Sequence, residues 1–178
     1  PNGRNRYCDF CQYCPIFWHI LPMERRVDHK DRQIIRALQR NGRMTNQDLA
    51  AEVNLSPSPC LRRLKLLEKS GAIKGFSVDV DASAYGLPVT VFVRVTLERH
   101  TDDCVQQFEK SVSQVDEVLE CFVMTGMSDY LLRVVVADLA DYENFVRKRL
   151  HPIGGIASID TSFVYGVVKK TNVFPVIV

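Results

Sequence analysis

The sequence predicts an α+β chain in two parts: an N-terminal three-helix, winged-type helix-turn-helix domain and, beyond a strand linker, a ferredoxin-like βαββαβ domain. Three observations predict it. A proline-started amphipathic helix follows a short helix across a tight joint. The apolar patterns of the second half run strand, helix, strand, strand, helix, strand. The charge divides along the same line. Residues 23–75 hold 12 Lys and Arg against 6 Asp and Glu, and residues 76–178 hold 9 against 14, so the net charge of +2 conceals a basic half and an acidic half.

Asp28 caps the first helix, which runs to about Gln39 with Ile34, Ile35 and Leu38 inward and stops at Asn41-Gly42. Thr45, with Asp48 three residues on, caps a short helix through Val53. Asn54-Leu55-Ser56 is the joint. The third helix starts with Ser56 capping through its hydroxyl and Pro57 at the first helical position, and ends at Ser70-Gly71. At about 100° per residue, Cys60, Leu61, Leu64 and Leu67 gather on one side. Ser58, Arg62, Lys65 and Lys69 gather on another, within an arc of roughly 60°. One face packs while the other presents hydroxyl and cationic donors, the chemistry a helix needs in a DNA major groove. Ser58, Arg62 and Lys65 are therefore candidate DNA contacts, to which the family resemblance described below adds Ser56. Arg63 joins them nearer the packed side, where a phosphate contact and a salt bridge to an acidic neighbour are both open.

Ile73 to Asp81 reads as an extended connector, a short strand, and Ala84 to Pro88 as a break. Val89, Val91, Val93, Val95 and Leu97 then alternate with Thr90, Phe92, Arg94 and Thr96 in a clean strand. A helix from about Thr101 to Ser113 carries Val105, Phe108 and Val112 at helical spacing. Val118 to Met124 is the second strand, Thr125 to Asp129 a turn, and Tyr130 to Val136 a third strand, apolar enough to be covered on both faces. Leu139, Tyr142, Val146 and Leu150 mark the second helix, which ends at His151-Pro152. Ile156 to Val168 is a long fourth strand, and Val173 to Val178 a candidate fifth. Both helices belong on one sheet face. The other, with Phe92 and Phe163 or their neighbours, is an apolar face for a second subunit. The domain boundaries are thus 1–22 for an atypical extension, 23–75 for the helix-turn-helix, 76–88 for the linker and 89–178 for the ferredoxin-like domain.

The extension carries Cys8, Cys11 and Cys14 as C-x2-C-x2-C followed by Pro15, with His19 as a conceivable fourth metal ligand. The cluster pattern is incomplete, and Met23-Glu24-Arg25-Arg26 reads as a natural start. Residues 1–22 are taken as upstream sequence or an added tail, with no metal site. Scattered Cys60, Cys104 and Cys121 read as buried free thiols of a cytoplasmic protein. No stretch approaches the roughly 20 apolar residues of a membrane span. There is no nucleophile elbow, phosphate loop or H-E-x-x-H, and His19, His29, His100 and His151 pair with no Cys or Asp at a useful spacing. The sequence is not read as an enzyme, and no cofactor is expected.

This combination resembles the Lrp/AsnC family of bacterial and archaeal transcription regulators, over roughly residues 27–175. Asp31 with Ile34-Ile35-Arg36-Ala37-Leu38 and Asn41-Gly42-Arg43 is similar to the family's opening helix. Leu55 to Leu64 is similar to its recognition segment, Gly71 to Phe76 to its exit from the DNA-binding domain, and Gly126-Met127-Ser128-Asp129-Tyr130 to its glycine-x-x-aspartate-tyrosine turn. The resemblance implies double-stranded DNA as partner, homodimers assembling further, commonly to octamers, and a small amino-acid effector held between dimers near that turn. It points to Gly126, Met127, Ser128, Asp129 and Tyr130, with Thr161 and Ser162 as weaker candidates. A glycine turn offers N–H groups to a carboxylate, and an aspartate can accept an ammonium. Many members are acidic where Met127 stands, so leucine or methionine fits better than a polar effector. The competing reading is an architectural DNA-binding protein that senses no effector.

Overall fold

The computed structural model of the chain describes residues 27–177. The C-x2-C-x2-C stretch, His19 and the Met23 start lie outside the described residues. The described residues form two compact units: residues 27–77 together with 171–177, and residues 78–170. The segment after Lys170 thus groups with the helices, not with the sheet to which the sequence assigns it.

The first unit holds α1 (His29–Arg40), α2 (Asn46–Glu52) and α3 (Pro57–Lys69). A capping box starts α1: the Asp31 N–H donates to Asp28 Oδ1 at 2.8 Å, and the Asp28 N–H to Asp31 Oδ2 at 3.3 Å. Thr45 caps α2 by accepting the Asp48 N–H at 3.2 Å. The joint to α3 is a Schellman ending. The Leu55 N–H donates to the Ala50 carbonyl at 2.9 Å and the Asn54 N–H to Ala51 at 3.2 Å, while Asn54 sits at φ 53°. Two clamps fix the angle between helices: Lys30 Nζ donates to the Val53 carbonyl at 2.6 Å, and Asn46 Nδ2 to the Pro57 carbonyl at 2.9 Å. Ile34, Ala37, Leu49, Ala50, Val53, Cys60 and Leu67 are the core.

Three sequence expectations need correction here. Ser56 starts α3 but makes no side-chain cap bond. Pro59 removes the N–H three residues on, and the Ser58 N–H two residues on is not taken up. Leu61 is exposed, because the packed face narrows to Cys60, Leu67 and the half-buried Leu64. The connector from Ile73 to Asp81 joins no ladder, so no strand forms; Phe76, Val78 and Val80 stand exposed along it.

The second unit contains β1 (Val89–Leu97), α4 (Asp102–Val112), β2 (Val118–Val123), β3 (Tyr130–Val136), α5 (Leu139–Phe145), continued by a π turn over Val146–Leu150 and a 3-10 turn over His151–Ile153, and β4 (Ile156–Phe163). The sheet is antiparallel in the order β2-β3-β1-β4. Val91, Val93, Val95 and Leu97 of β1 and Leu132, Val134 and Val136 of β3 pack on Phe108 and Val112 of α4 and on Phe145 and Leu150, so both helices cover one face. Leu131 and Arg133 are only half-buried, and β3 is not fully covered on its second face. β4 ends at Phe163 rather than Val168, and Val173 to Ile177 is not a strand. Phe163 pairs with Val91 and meets the Tyr142 ring at 5.1 Å, which puts it on the helix side; Phe92 lies on the open face. Of the three cysteines among the described residues, Cys60 is buried, Cys104 half-buried and Cys121 exposed, so the expectation of buried thiols fails at Cys121. Among the described residues no helix is long and apolar enough to cross a membrane, and no cluster of His, Cys, Asp and Glu could hold a metal.

Candidate nucleic-acid interface and effector pocket

Helix α3 presents Ser56, Ser58, Arg62 and Lys65 to solvent, together with Lys69. Cys60 at 0% and Leu67 at 1% exposure hold the opposite face in the core. With no capping bond made, the Ser56 hydroxyl is left as an outward donor. Pro57 and Pro59 remove two of the N–H groups that a helix start leaves unpaired.

Arg63 turns inward. Its Nη1 lies 2.6 Å from Asp28 Oδ2 and 2.8 Å from Asp31 Oδ1. The salt bridge to an acidic neighbour is the arrangement adopted. The N–H of Asp31 and the guanidinium of Arg63 hold the Asp28 carboxyl below its ordinary value, and the two aspartates raise Arg63 in turn. The acidic neighbours were legible as cap residues; that they also anchor α3 needed the fold. So did the clamps by Lys30 and Asn46.

In the sheet unit, the turn between β2 and β3 closes through the Met124 N–H donating to the Asp129 carbonyl at 2.8 Å, with Gly126 at φ 122°. Met127 is 98% exposed at its tip. The Asp129 carboxylate is engaged at both oxygens: Oδ2 accepts the Leu97 N–H at 2.8 Å, and Oδ1 meets His100 Nε2 at 2.8 Å. That His–Asp pair went unread because its members are 29 residues apart. Thr161 and Ser162 separate. Thr161 bonds the Tyr142 hydroxyl at 2.5 Å on the helix side, whereas Ser162 takes a bond from Arg94 on the open face.

A cavity of about 330 Å³ opens between α4 and the edge strand β2, with Glu109, Val112, Glu120, Cys121, Val123 and Tyr130 in its lining. Of the seven candidate effector residues only Tyr130 lines it. Tyr130 is buried, its ring 4.5 Å from that of Phe108, and its hydroxyl donates to Glu109 Oε1 at 3.0 Å. Burial, then the bond to Glu109, holds the phenol well above its ordinary value, so it stays a donor at neutral pH. Burial of the sulfur and the Glu109 charge push the Cys121 thiol up to about 11, although the residue's remaining surface is exposed. Glu109 and Cys121 escaped sequence reasoning. Glu109 follows the core residue Phe108 on a helix otherwise read for its apolar stripe.

Residues 90–174 match the Lrp/AsnC ligand binding domain, and residues 27–74 match a winged helix-turn-helix DNA-binding domain. The chain belongs to the Lrp/AsnC family. Among its curated relatives are the Bkd operon transcriptional regulator of Pseudomonas aeruginosa, 42% identical over 77% of this chain and 90% of that protein, and the leucine-responsive regulatory protein of Haemophilus influenzae, 38% identical over 82% and 88%. A Neisseria meningitidis transcriptional regulator solved with L-Met superposes with a TM-score of 0.80 at 38% identity, covering 84% of this chain and 97% of that one. An AsnC-family regulator from Agrobacterium tumefaciens gives 0.79 at 36%, covering 83% and 96%. As an Lrp/AsnC-type protein the chain is a DNA-binding transcriptional regulator with a ligand-binding domain, not an enzyme.

Proposed function

We propose that this regulator reads DNA with Ser56, Ser58, Arg62 and Lys65 and that an apolar amino acid, leucine or methionine, tunes that binding. The observation that carries the reading is the division of α3: a solvent face of hydroxyls and cations, and an inward arginine that anchors it. Arg62 and Lys65 meet bases or phosphates, and paired α3 helices of a dimer meet two half-sites about one helical turn apart. The regulator works in the cytoplasm beside its DNA.

The effector sits by the β2–β3 turn and the cavity below it. Backbone N–H groups of Gly126, Met127 and Ser128 are offered to its carboxylate. Because Asp129 is already engaged, Glu109 beside Tyr130 is the better partner for the ammonium, and Val112 and Val123 suit an apolar side chain. The relatives named for leucine and solved with L-Met support that class. Dimers form on the open sheet face, where Phe92 and Leu131 lie, and along the unpaired connector; they assemble further, to an octamer, with the effector shifting that balance.

Fluorescence anisotropy on DNA from upstream of the protein's own gene tests the DNA half. Binding is expected to weaken steeply with salt, and Arg62→Ala and Lys65→Ala to weaken it further while both variants stay folded. Equal affinity for a scrambled duplex, or no loss in either variant, contradicts the reading. The engagement of Asp129 by Leu97 and His100 favours one rival, an architectural protein indifferent to metabolites. A melting temperature that no amino acid raises supports that rival.

A further inference from the structure

In the helical unit, a groove of about 640 Å³ runs between α1 and the tail that follows Lys170. Much of its wall is apolar: Val27, Ile35 and Val53 come from the helical core and its edge, and Phe174, Val176 and Ile177 from the tail. The three tail residues stay 67%, 70% and 61% exposed, an apolar strip of the kind that marks an interaction surface. Gln39 fixes the strip in place: its Nε2 donates to the Asn172 carbonyl at 2.7 Å, and its Oε1 accepts the Phe174 N–H at 3.0 Å.

The charged part of the wall is mainly cationic. Arg32 and Arg40 stand exposed along it, and the acid in the lining, Glu52, lies 3.6 Å from Arg40. Guanidinium groups beside an apolar wall suit aromatic rings, whose faces attract cations. Val27, the first described residue, is half-buried against the helical core and lines the groove, so whatever precedes it starts there. Five residues, 22–26, separate Val27 from Ile16-Phe17-Trp18-His19-Ile20-Leu21, a run with two aromatic rings and no Asp, Glu, Lys or Arg. The six steps from Val27 to Leu21 reach at most about 20 Å, and the 12 residues of α1 span about 18 Å, so the run can be placed anywhere along the helix.

We propose that the apolar run 16–21 of the same chain seats in this groove, with Phe17 and Trp18 against Phe174, Val176 and the arginine rim. The attachment favours this occupant over a free peptide or a second copy. A five-residue tether holds the run at an effective concentration on the order of millimolar, so even a weak apolar contact is populated. Seating it takes the exposed tail side chains out of water, which is the driving force. The extension then belongs to the helical unit and is not an added tail. The groove is distinct from the cavity between α4 and β2, with which it shares no lining residue.

Trp18 is the chain's only tryptophan, so the fluorescence of the full chain reports this contact directly. Its emission is expected to be blue-shifted from that of a solvated indole and shielded from iodide. Val176→Asp puts a charge into the groove at a side chain too exposed to support the fold, and should return both readings to those of a solvated indole. Leu139→Asp, at a similarly exposed residue of the other unit, should change neither. A solvated Trp18 in the wild-type chain overturns the proposal, and so does a Trp18 that stays shielded in Val176→Asp. Co-refolding Val176→Asp with a full chain carrying Trp18→Phe then tells whose groove is filled. Emission that stays solvated supports the proposal. Recovered shielding assigns the run to a second copy's groove and overturns it.

Discussion

Replacing Arg63 with methionine tests whether this arginine anchors α3 rather than touching DNA. Its Nη1 lies 2.8 Å from Asp31, whose side chain is 2% exposed, while Arg63 itself is 28% exposed. Methionine keeps most of the hydrocarbon stem and deletes the charge. Asp31 then keeps only the Asp28 N–H, at 3.3 Å. Removing one partner of a buried ion pair costs about 3–5 kcal/mol. Water reaches Arg63 and the half-exposed Asp28, so about 2–3 kcal/mol is the figure for this site. In a domain this small that lowers the melting temperature by roughly 10–20 °C. Circular dichroism melting of Arg63→Met beside Arg62→Met is the assay. Arg62→Met should melt within about 2 °C of wild type and lose DNA affinity, while Arg63→Met should melt early and, held below its transition, bind DNA better than Arg62→Met does. An Arg63→Met protein as stable as wild type with DNA binding abolished refutes the reasoning. The pair also has a pH signature. The folded Asp28 carboxyl titrates below its ordinary value, so its contribution is complete above about pH 4 and is lost as pH falls through the lowered folded value. Arg63→Met should flatten that acid limb of stability.

The remaining predictions concern the joint and the pocket. Asn54 at φ 53° makes Asn54→Val destabilising by about 1–2 kcal/mol and Asn54→Gly close to neutral, read by urea denaturation. Tyr130→Phe strips Glu109 of its donor at 3.0 Å and should cost about 1 kcal/mol of stability while weakening the thermal shift given by leucine or methionine; an unchanged shift separates Tyr130 from the effector. Cys121, with its thiol at about 11, should react with iodoacetamide far more slowly than a free cysteine at pH 8 and accelerate as pH rises toward 11.

Helix starts, the joint and the succession of strands and helices were legible because each is written locally, in a cap, a proline or an alternation. Asp28, Thr45 and Asn41-Gly42 mark ends that the chain uses. Ser56 is a favourable capping residue that makes no cap bond: Pro59 lacks one of the two N–H groups it could take, and the other, that of Ser58, is not used. The fifth strand failed for a different reason. Val173 to Ile177 has strand composition, but its backbone is held by the side chain of Gln39, a partner about 130 residues away that no local pattern reveals. The solvent face of α3, with its hydroxyls and cations, could be read from one helix alone. The cavity between α4 and β2 could not, because Glu109, Cys121 and Tyr130 come from three elements and meet only in the folded sheet. Asp129 shows the same limit: the turn was visible, its engagement by Leu97 and His100 was not.

In the proposed function one chain couples amino-acid binding to DNA binding. The most direct test is the anisotropy Kd for the upstream DNA measured with and without saturating leucine and methionine at fixed salt. The account predicts that at least one of them shifts Kd by about fivefold or more, and that DNA shifts the affinity for that amino acid by the same factor. A Kd that neither amino acid moves, in protein shown by melting to bind it, contradicts the coupling.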